Sequence, residues 1–334
     1  MLCAVELKEN NLRFINQAKL PLEEEVIISD KFERIAEAIE RLEIRGAPAI
    51  GIAAAYALAL SLKDVPSKEQ TKIFEKAFQR LASTRPTAVN LFFCLGEIKK
   101  VFNESQNEDN LFSKLVQKAK EIHNEDIKLC NKIAENGLTI FKKKCKVLTH
   151  CNTGFLATGG NGTALNVIRK AFENNLVEHV YADETRPLLQ GSRLTAWELD
   201  NLGIPFSINT DSTAAVLMQK GKIDLVITGA DRIAVNGDSA NKIGTYNLAV
   251  LCSFHNIPFY IAAPGTTIDY NCLNGDYIKI ESRSGKELTE FGGRQITKDY
   301  PAYCPAFDVT HNELITAIIT EKGVHKPPFN FINV

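Results

Sequence analysis

The chain has 334 residues, 45% of them hydrophobic, and a formal net charge of −1 at pH 7. That is enough for one large domain or two ordinary ones, with apolar material for a real core. The balanced charge, without an acidic or basic tail, argues against a broad electrostatic footprint for nucleic acid or an anionic membrane, so a bound phosphate would be gripped locally.

In chain order, "CAVEL" and "LRFI" flank the turn-type stretch "KENN" and predict a β-hairpin. "KFERIAEAIERL" carries apolar residues at helical spacing, with Asp30 placed to cap its start. Next comes "APAIGIAAAYALALSL", shorter than the roughly 20 residues of a membrane span and apolar nearly all round, which predicts a buried helix. Arg45 and Gly46 precede it, and Pro48 suits its first turn. "STRPTAVN" repeats the device with Arg85 and Pro86 ahead of another helix. An arginine beside helix-start amides is a phosphate grip; plain capping and surface charge is the alternative, and the simpler reading of Arg85 taken alone. Helical patterning continues to Ala134, with Asn136-Gly137 as the expected break.

After about residue 140, β-branched runs alternate with helical stretches. "CKVLTH", "EHVYAD", "IPFSIN", "KIDLVIT" and "IPFYIAA" read as strands of a parallel sheet with helices on both faces. Sites in such sheets lie beyond the C-terminal strand ends. There the chain places His150, Cys151 and Asn152; then Glu184, Thr185, Arg186 and Gln190; then Asp231 and Arg232; then Asn241 and Lys242 at an expected helix start. Each has an ordinary structural reading: cysteine as a small buried hydrophobe, His150 as a bonded core residue, Asp231 as a cap or partner of Arg232, Lys242 as a solvated lysine. Their coincidence at strand ends weakens those readings jointly. The Gly-rich loop after Cys151 matches neither the Walker pattern nor GxGxxG, and tight loop packing explains its glycines as well as anion binding does.

The eight cysteines are scattered without a CxxC pair, and the opening residues lack a signal-peptide pattern. The expectation is reduced thiols in the cytoplasm, no structural zinc and no membrane span.

Six stretches, "RGAPAIG", "TRPTAVNL", "HCNTGFLAT…GTAL", "ADETRPLLQGSRLTAWEL", "GADRIAVNGDSANKIGTYNLA" and "AFDVTHNELITAIITEKGV", together resemble the methylthioribose-1-phosphate isomerase family. That family is related to regulatory subunits of a translation initiation factor. The resemblance implies a mainly helical N-terminal domain with a short β-hairpin over residues 1–130 and a Rossmann-like α/β domain over 131–334. It implies a cofactor-free, metal-free aldose–ketose isomerase of methionine salvage, a homodimer acting on a phosphorylated pentose. It implies Cys151 and Asp231 as the catalytic pair and Arg45, Gly46, Ala47, Arg85, Gln190, Asn241 and Lys242 as substrate contacts. Asn16-Gln17, Thr153, Phe155 and the segment 281–304 depart from the family pattern.

The chemistry explains those residue types. Phosphate on the anomeric oxygen blocks ordinary ring opening, so the ring oxygen must take a proton as the C1–O4 bond breaks. An aspartate kept protonated by an apolar setting supplies it, and Asp231 follows the apolar "LVITGA". Hydrogen then moves from C2 to C1. Cys151 is either the base of a phosphoenolate route or the group that stabilises charge and excludes water in a hydride shift. Two alternatives stay open: another substrate on the same residues (5-deoxyribose 1-phosphate or ribose 1,5-bisphosphate), and a non-catalytic subunit of the translation-factor type.

Overall fold

The computed structural model describes residues 3–85, 88–106 and 108–333, so Pro86 lies outside the described residues. The chain divides into two packing units. One is the chain up to Asn131 with Thr153–Gly162; the other is Lys132–Asn152 with the chain from Thr163 onward.

In the first unit β1 (Val5–Lys8) and β2 (Asn11–Ile15) form the expected antiparallel hairpin. Glu9 and Asn10 take positive φ at its turn, as a two-residue connection requires. A third strand, β3 (Val26–Ser29), pairs antiparallel with β2. Five helices follow: α1 (Phe32–Glu40), α2 (Ala47–Leu60), α3 (Ser67–Ala82), α4 (Val89–Ser105) and α5 (Leu111–Leu138). α2 is buried from Ala49 to Leu60 and packs against α1, α3 and α4, which accounts for its all-round apolar sequence. Asp30 does not cap α1. Lys31 holds the cap position, and Asp30 accepts instead from the Lys63 ammonium at 2.9 Å, a charge-assisted bond stronger than one to an amide.

The second unit continues from α5 through β4 (Cys145–Thr149), α6 (Ala164–Glu173), β5 (Val177–Asp183), α7 (Ala196–Asn201), β6 (Phe206–Asn209), α8 (Thr213–Gln219) and β7 (Leu225–Thr228). Then come β8 (Arg232–Ala234), β9 (Ser239–Lys242), α9 (Thr245–His255), β10 (Phe259–Ala262) and β11 (Ile268–Asp269). The short elements α10 (Lys286–Thr289), β12 (Glu290–Phe291) and β13 (Arg294–Gln295) occupy the segment that departs from the family pattern. β14 (Phe307–Thr310), β15 (Ala317–Thr320) and β16 (Gly323–His325) complete the list.

The main sheet runs β16-β15-β10-β7-β4-β5-β6, parallel throughout except for β16 at its edge. Its parallel strands thus follow the doubly wound order 3-2-1-4-5-6, and the α/β, Rossmann-like reading is what the structure has. Strand alternation sorts side chains into two cores. Val147, Leu225, Ile227 and Ala262 join Leu165 and Ile168 of α6 on one face. Leu148, Val226 and Ile261 join Ala214 of α8 and Leu248 of α9 on the other. A smaller sheet, β11-β8-β9-β14, stands beside it. No helix among the described residues is long and apolar enough to cross a membrane.

The expected break at Asn136-Gly137 is absent, because α5 runs on to Leu138. A Cβ on Gly137 would stand 2.5 Å from Val167 Cγ2, so this glycine serves close packing rather than helix termination. Helix propensity alone favours Gly137→Ala by about 1 kcal/mol. Overpacking costs about 1–3 kcal/mol. Gly137→Ala is therefore expected to destabilise the protein by about 1 kcal/mol net; stabilisation in a denaturant titration would show that Val167 yields freely.

Candidate active site

The strand order reverses between β4 and β7, and the crevice of a doubly wound sheet opens at that point beyond the C-terminal ends of the strands. Cys151 comes two residues after β4 and Asp231 three residues after β7. Thr149 ties the two strands by donating its hydroxyl to Ile227 O at 2.9 Å.

Cys151 is buried, at 8% exposure, and has φ +60. Its amide donates to Thr185 Oγ1 at 2.8 Å, and its carbonyl accepts from Thr195 Oγ1 at 2.6 Å. On either side the chain is anchored. Asn152 Nδ2 donates to the buried Glu198 carboxylate at 2.7 Å. His150, fully enclosed, meets Asp183 Oδ2 through Nδ1 at 3.0 Å and Ile243 O through Nε2 at 2.9 Å. Burial works against the charged imidazole. The hydrogen bond and charge of Asp183 outweigh it and raise the His150 pKa. Held at both ring nitrogens inside the protein, His150 is a structural brace.

His150, Asp183 and Asp211 place their ligand-type atoms within 4.8 Å of one another. Those atoms already bond inside the protein: Asp183 to His150 and Asn209, Asp211 to the amides of Thr185 and Arg186. A cation would have to displace those bonds.

Asp231 is half-buried, and its amide donates to Ala240 O at 2.9 Å, at the mouth of the β8–β9 pair. Arg232 does not depend on it for a partner, since Arg232 Nε pairs with Asp269 at 2.9 Å. Asn241 and Lys242 lie on β9 and not at a helix start, a correction to the expectation. α9 begins at Thr245, after Gly244, where Asp308 accepts the Gly244 and Tyr246 amides and stands at the positive helix end. Asn241 Nδ2 donates to Thr245 Oγ1 at 3.0 Å. Lys242 Nζ donates to Ala306 O at 2.9 Å and lies 4.5 Å from the Phe307 ring centroid, so it is an ordered cation rather than a solvated one. Gln190 is buried just ahead of a π-helical turn, Gly191–Thr195, and its side-chain oxygen has no hydrogen-bond partner among the described residues. Such turns gather at functional sites, and an unpaired buried oxygen costs about 1–3 kcal/mol unless a ligand donor meets it.

In the first unit, Gly46 starts α2 at φ +90, and a Cβ there would lie 2.5 Å from the Ala157 backbone. Ala47 opens the helix with Pro48 behind it. Arg45 Nε donates to Gln17 Oε1 at 3.2 Å, and Gln17 Nε2 donates to Leu156 O at 2.8 Å. Sequence reasoning missed Gln17; its only signal was the departing Asn16-Gln17 pair. Arg85 is half-buried.

The glycines after Cys151 largely follow the packing reading. A Cβ on Gly159 would stand 2.5 Å from His123 and Ile52, and one on Gly160 3.0 Å from Ile127 and Cys130. The Gly159 amide donates to Asp126 at 2.7 Å and its carbonyl meets His123 Nε2 at 3.0 Å, so a carboxylate of the protein already takes the place of an anion there.

The Initiation factor 2 subunit family matches residues 43–327. A methylthioribose-1-phosphate isomerase of Caldicellulosiruptor saccharolyticus is 52% identical over 329 residues, spanning 97% of this chain and 96% of that protein. The protein of the same name from Thermotoga maritima is 50% identical over 326 residues, spanning 97% and 95%. Among crystal structures, 5-methylthioribose 1-phosphate isomerase from Pyrococcus horikoshii OT3 has TM-score 0.93 at 44% identity over 98% of this chain and 94% of that one. The A. fulgidus structure described as translation initiation factor eIF-2B, subunit delta, has TM-score 0.88 at 42% identity over 98% and 97%.

The "NGD" of the fifth sequence block proves structural. Asp238 is buried and accepts from Asn236 Nδ2, the Gly275 amide, and both the amide and side chain of Asn312. Burial alone would raise its pKa, but these donors outweigh it and hold the carboxyl below its ordinary value. With the folded pKa below the unfolded one, the stabilisation is complete above about pH 5 and fades as pH falls through about 4 toward the folded pKa. Asp238→Asn is expected to cost about 2–4 kcal/mol at pH 7 and to flatten the acid limb of stability against pH. An unchanged acid limb would place the acid-sensitive groups elsewhere.

Proposed function

Within the Initiation factor 2 subunit family, to which this chain belongs, we propose that it converts 5-methylthioribose 1-phosphate to 5-methylthioribulose 1-phosphate, with Cys151 and Asp231 as the catalytic pair. Its relatives named methylthioribose-1-phosphate isomerase, identical at about half of all positions over nearly the full length, make it an aldose–ketose isomerase. The observation that carries the assignment of residues is positional. Cys151 and Asp231 follow the two strands that flank the reversal of strand order.

Asp231 delivers its proton to the ring oxygen as the C1–O4 bond breaks. The hydrogen on C2 moves to C1, and the C2 hydroxyl loses its proton to become the ketone, which restores the proton count. Cys151 takes the C2 proton in a phosphoenolate route. In a direct shift it shields the migrating hydride from water. Solvent deuterium at C1 of the product marks the first route, and its absence marks the second. Arg45, the backbone at Gly46 and Ala47, and Arg85, Gln190, Asn241 and Lys242 are the substrate contacts of this reading. Cations and helix-start amides hold phosphate, and holding the sugar still removes much of the entropic barrier. Gln190 Oε1, buried and unpaired, suits a sugar hydroxyl. The reading includes a cytoplasmic homodimer in methionine salvage that needs no metal or cofactor.

The A. fulgidus relative's description favours a second reading, a translation-factor-type subunit. Two results separate the readings. Offered 5-methylthioribose 1-phosphate and 5-deoxyribose 1-phosphate side by side, the purified protein is expected to form ketose faster from the thioether, followed by NMR; turnover of neither would favour the second reading. Asp231→Asn and Cys151→Ser are expected to retain the wild-type fold by circular dichroism and to lose about 100- to 10,000-fold in kcat. Unfolding of Asp231→Asn would make Asp231 structural.

A further inference from the structure

The backbone around Cys151 costs free energy that ordinary folding does not require. Residues other than glycine at positive φ carry about 1–2 kcal/mol of steric cost. Cys151 sits at φ +60, and Thr185, which receives its amide, sits at φ +64. For a β-branched residue that conformation is a true outlier. Two such residues bonded to each other point to a geometry that is maintained for a purpose.

The bonding shows how it is maintained. A strand continued past Thr149 would give the Cys151 amide and carbonyl to a neighbouring strand. Here both go to threonine hydroxyls, Thr185 and Thr195, and both threonines are wholly buried. The Thr185 hydroxyl donates to Asp183 O at 3.0 Å, which turns a lone pair toward the Cys151 amide. Asp211 in turn accepts the amides of Thr185 and Arg186, both at 2.8 Å, and so offsets the cost of the Thr185 conformation. The direction of a Cα–Cβ bond follows from the backbone angles, so the angle at Cys151 sets where its thiol stands. His150 and Asn152, each anchored, prevent the chain from relaxing on either side.

We propose that Thr185 and Thr195 are positioning residues that hold Cys151 in its left-handed backbone conformation and thereby aim its thiol at the reacting carbons. The proposal rests on the catalytic role of Cys151 given above. Neither threonine touches the substrate in this reading; both act through Cys151.

The test uses the full-length protein and 5-methylthioribose 1-phosphate. Thr185→Val keeps the shape and loses the acceptor; it is expected to lower kcat about 100-fold while KM stays within threefold, since misplacement by an ångström has effects of that order. Thr185→Ser restores the hydroxyl and is expected to recover kcat to within threefold of wild type. In a Cys151→Ser background, Thr185→Val is expected to have no further effect, because there is no thiol left to aim. If Thr185→Val does not fold, Thr195→Val, which leaves the Cys151 carbonyl unmatched and removes the longer of the two bonds from Asn152 Nδ2 while its bond to Glu198 stays, is expected to show the same loss in kcat at steady KM. Wild-type kcat in Thr185→Val or Thr195→Val, no rescue by serine, or full additivity with Cys151→Ser would overturn the clamp. Wild-type kcat in Cys151→Ser alone would overturn the catalytic role of Cys151, a different failure.

Discussion

A parallel strand pair must be joined by a crossover, and in L-proteins that crossover is right-handed. Starting from β4, the chain winds outward through β5 and β6, then returns to lay β7 against the other edge of β4 and winds outward again through β10 and β15. Handedness sends the helices of the two runs to opposite faces. α6 and α7 contribute to one core, α8 and α9 to the other. Beyond β4 and β7 the connections therefore part, and the gap they leave is where Cys151 and Asp231 emerge. Site and fold share one cause.

Around that gap, polar groups are buried with specific partners. His150 bonds Asp183 and Ile243, Asn152 bonds Glu198, and Thr185 bonds Asp211 and Cys151. In a low-dielectric surrounding such bonds are strong when made and costly when broken, so they fix one backbone path. The rigidity lies in the neighbours of Cys151, which lets Cys151 itself adopt a backbone conformation that it would not hold in isolation.

The smaller sheet does comparable work for Asp231. β8 leaves the site, the Asn236–Asp238 turn reverses the chain, and β9 brings Asn241 and Lys242 back alongside. Asp238 fastens that turn to the segments at Gly275 and Asn312. One contiguous block of sequence thus divides its duties: Asp231 stands at the strand end, where the proposed function puts the chemistry, and Asp238 holds the adjoining hairpin.

Much of this was legible in the sequence. Short, nearly unbroken apolar runs separated by helical stretches specify a parallel sheet, because burial on both faces demands β-branched and aliphatic residues without interruption. The polar groups right after those runs, Cys151 and Asp231 among them, are placed at strand ends by the same pattern. Local patterning misjudged Asp30, Gly137 and the Asn241-Lys242 strand, and left the loop glycines open between packing and anion binding. In each case a residue distant in sequence decided the outcome: Lys63, Val167, β14 with its Asp308, and the Asp126–His123 pair. The same holds for Thr185 and Thr195, ordinary threonines until the fold brings their hydroxyls to the Cys151 peptide. Sequence by itself determined five strands of the main sheet, the N-terminal hairpin, most of the helices and the residue types that follow each strand, since periodicity and residue type are local properties. Only the tertiary structure decided which donor meets which acceptor, because a hydrogen bond depends on ångström-scale proximity between groups that the chain sets tens of residues apart.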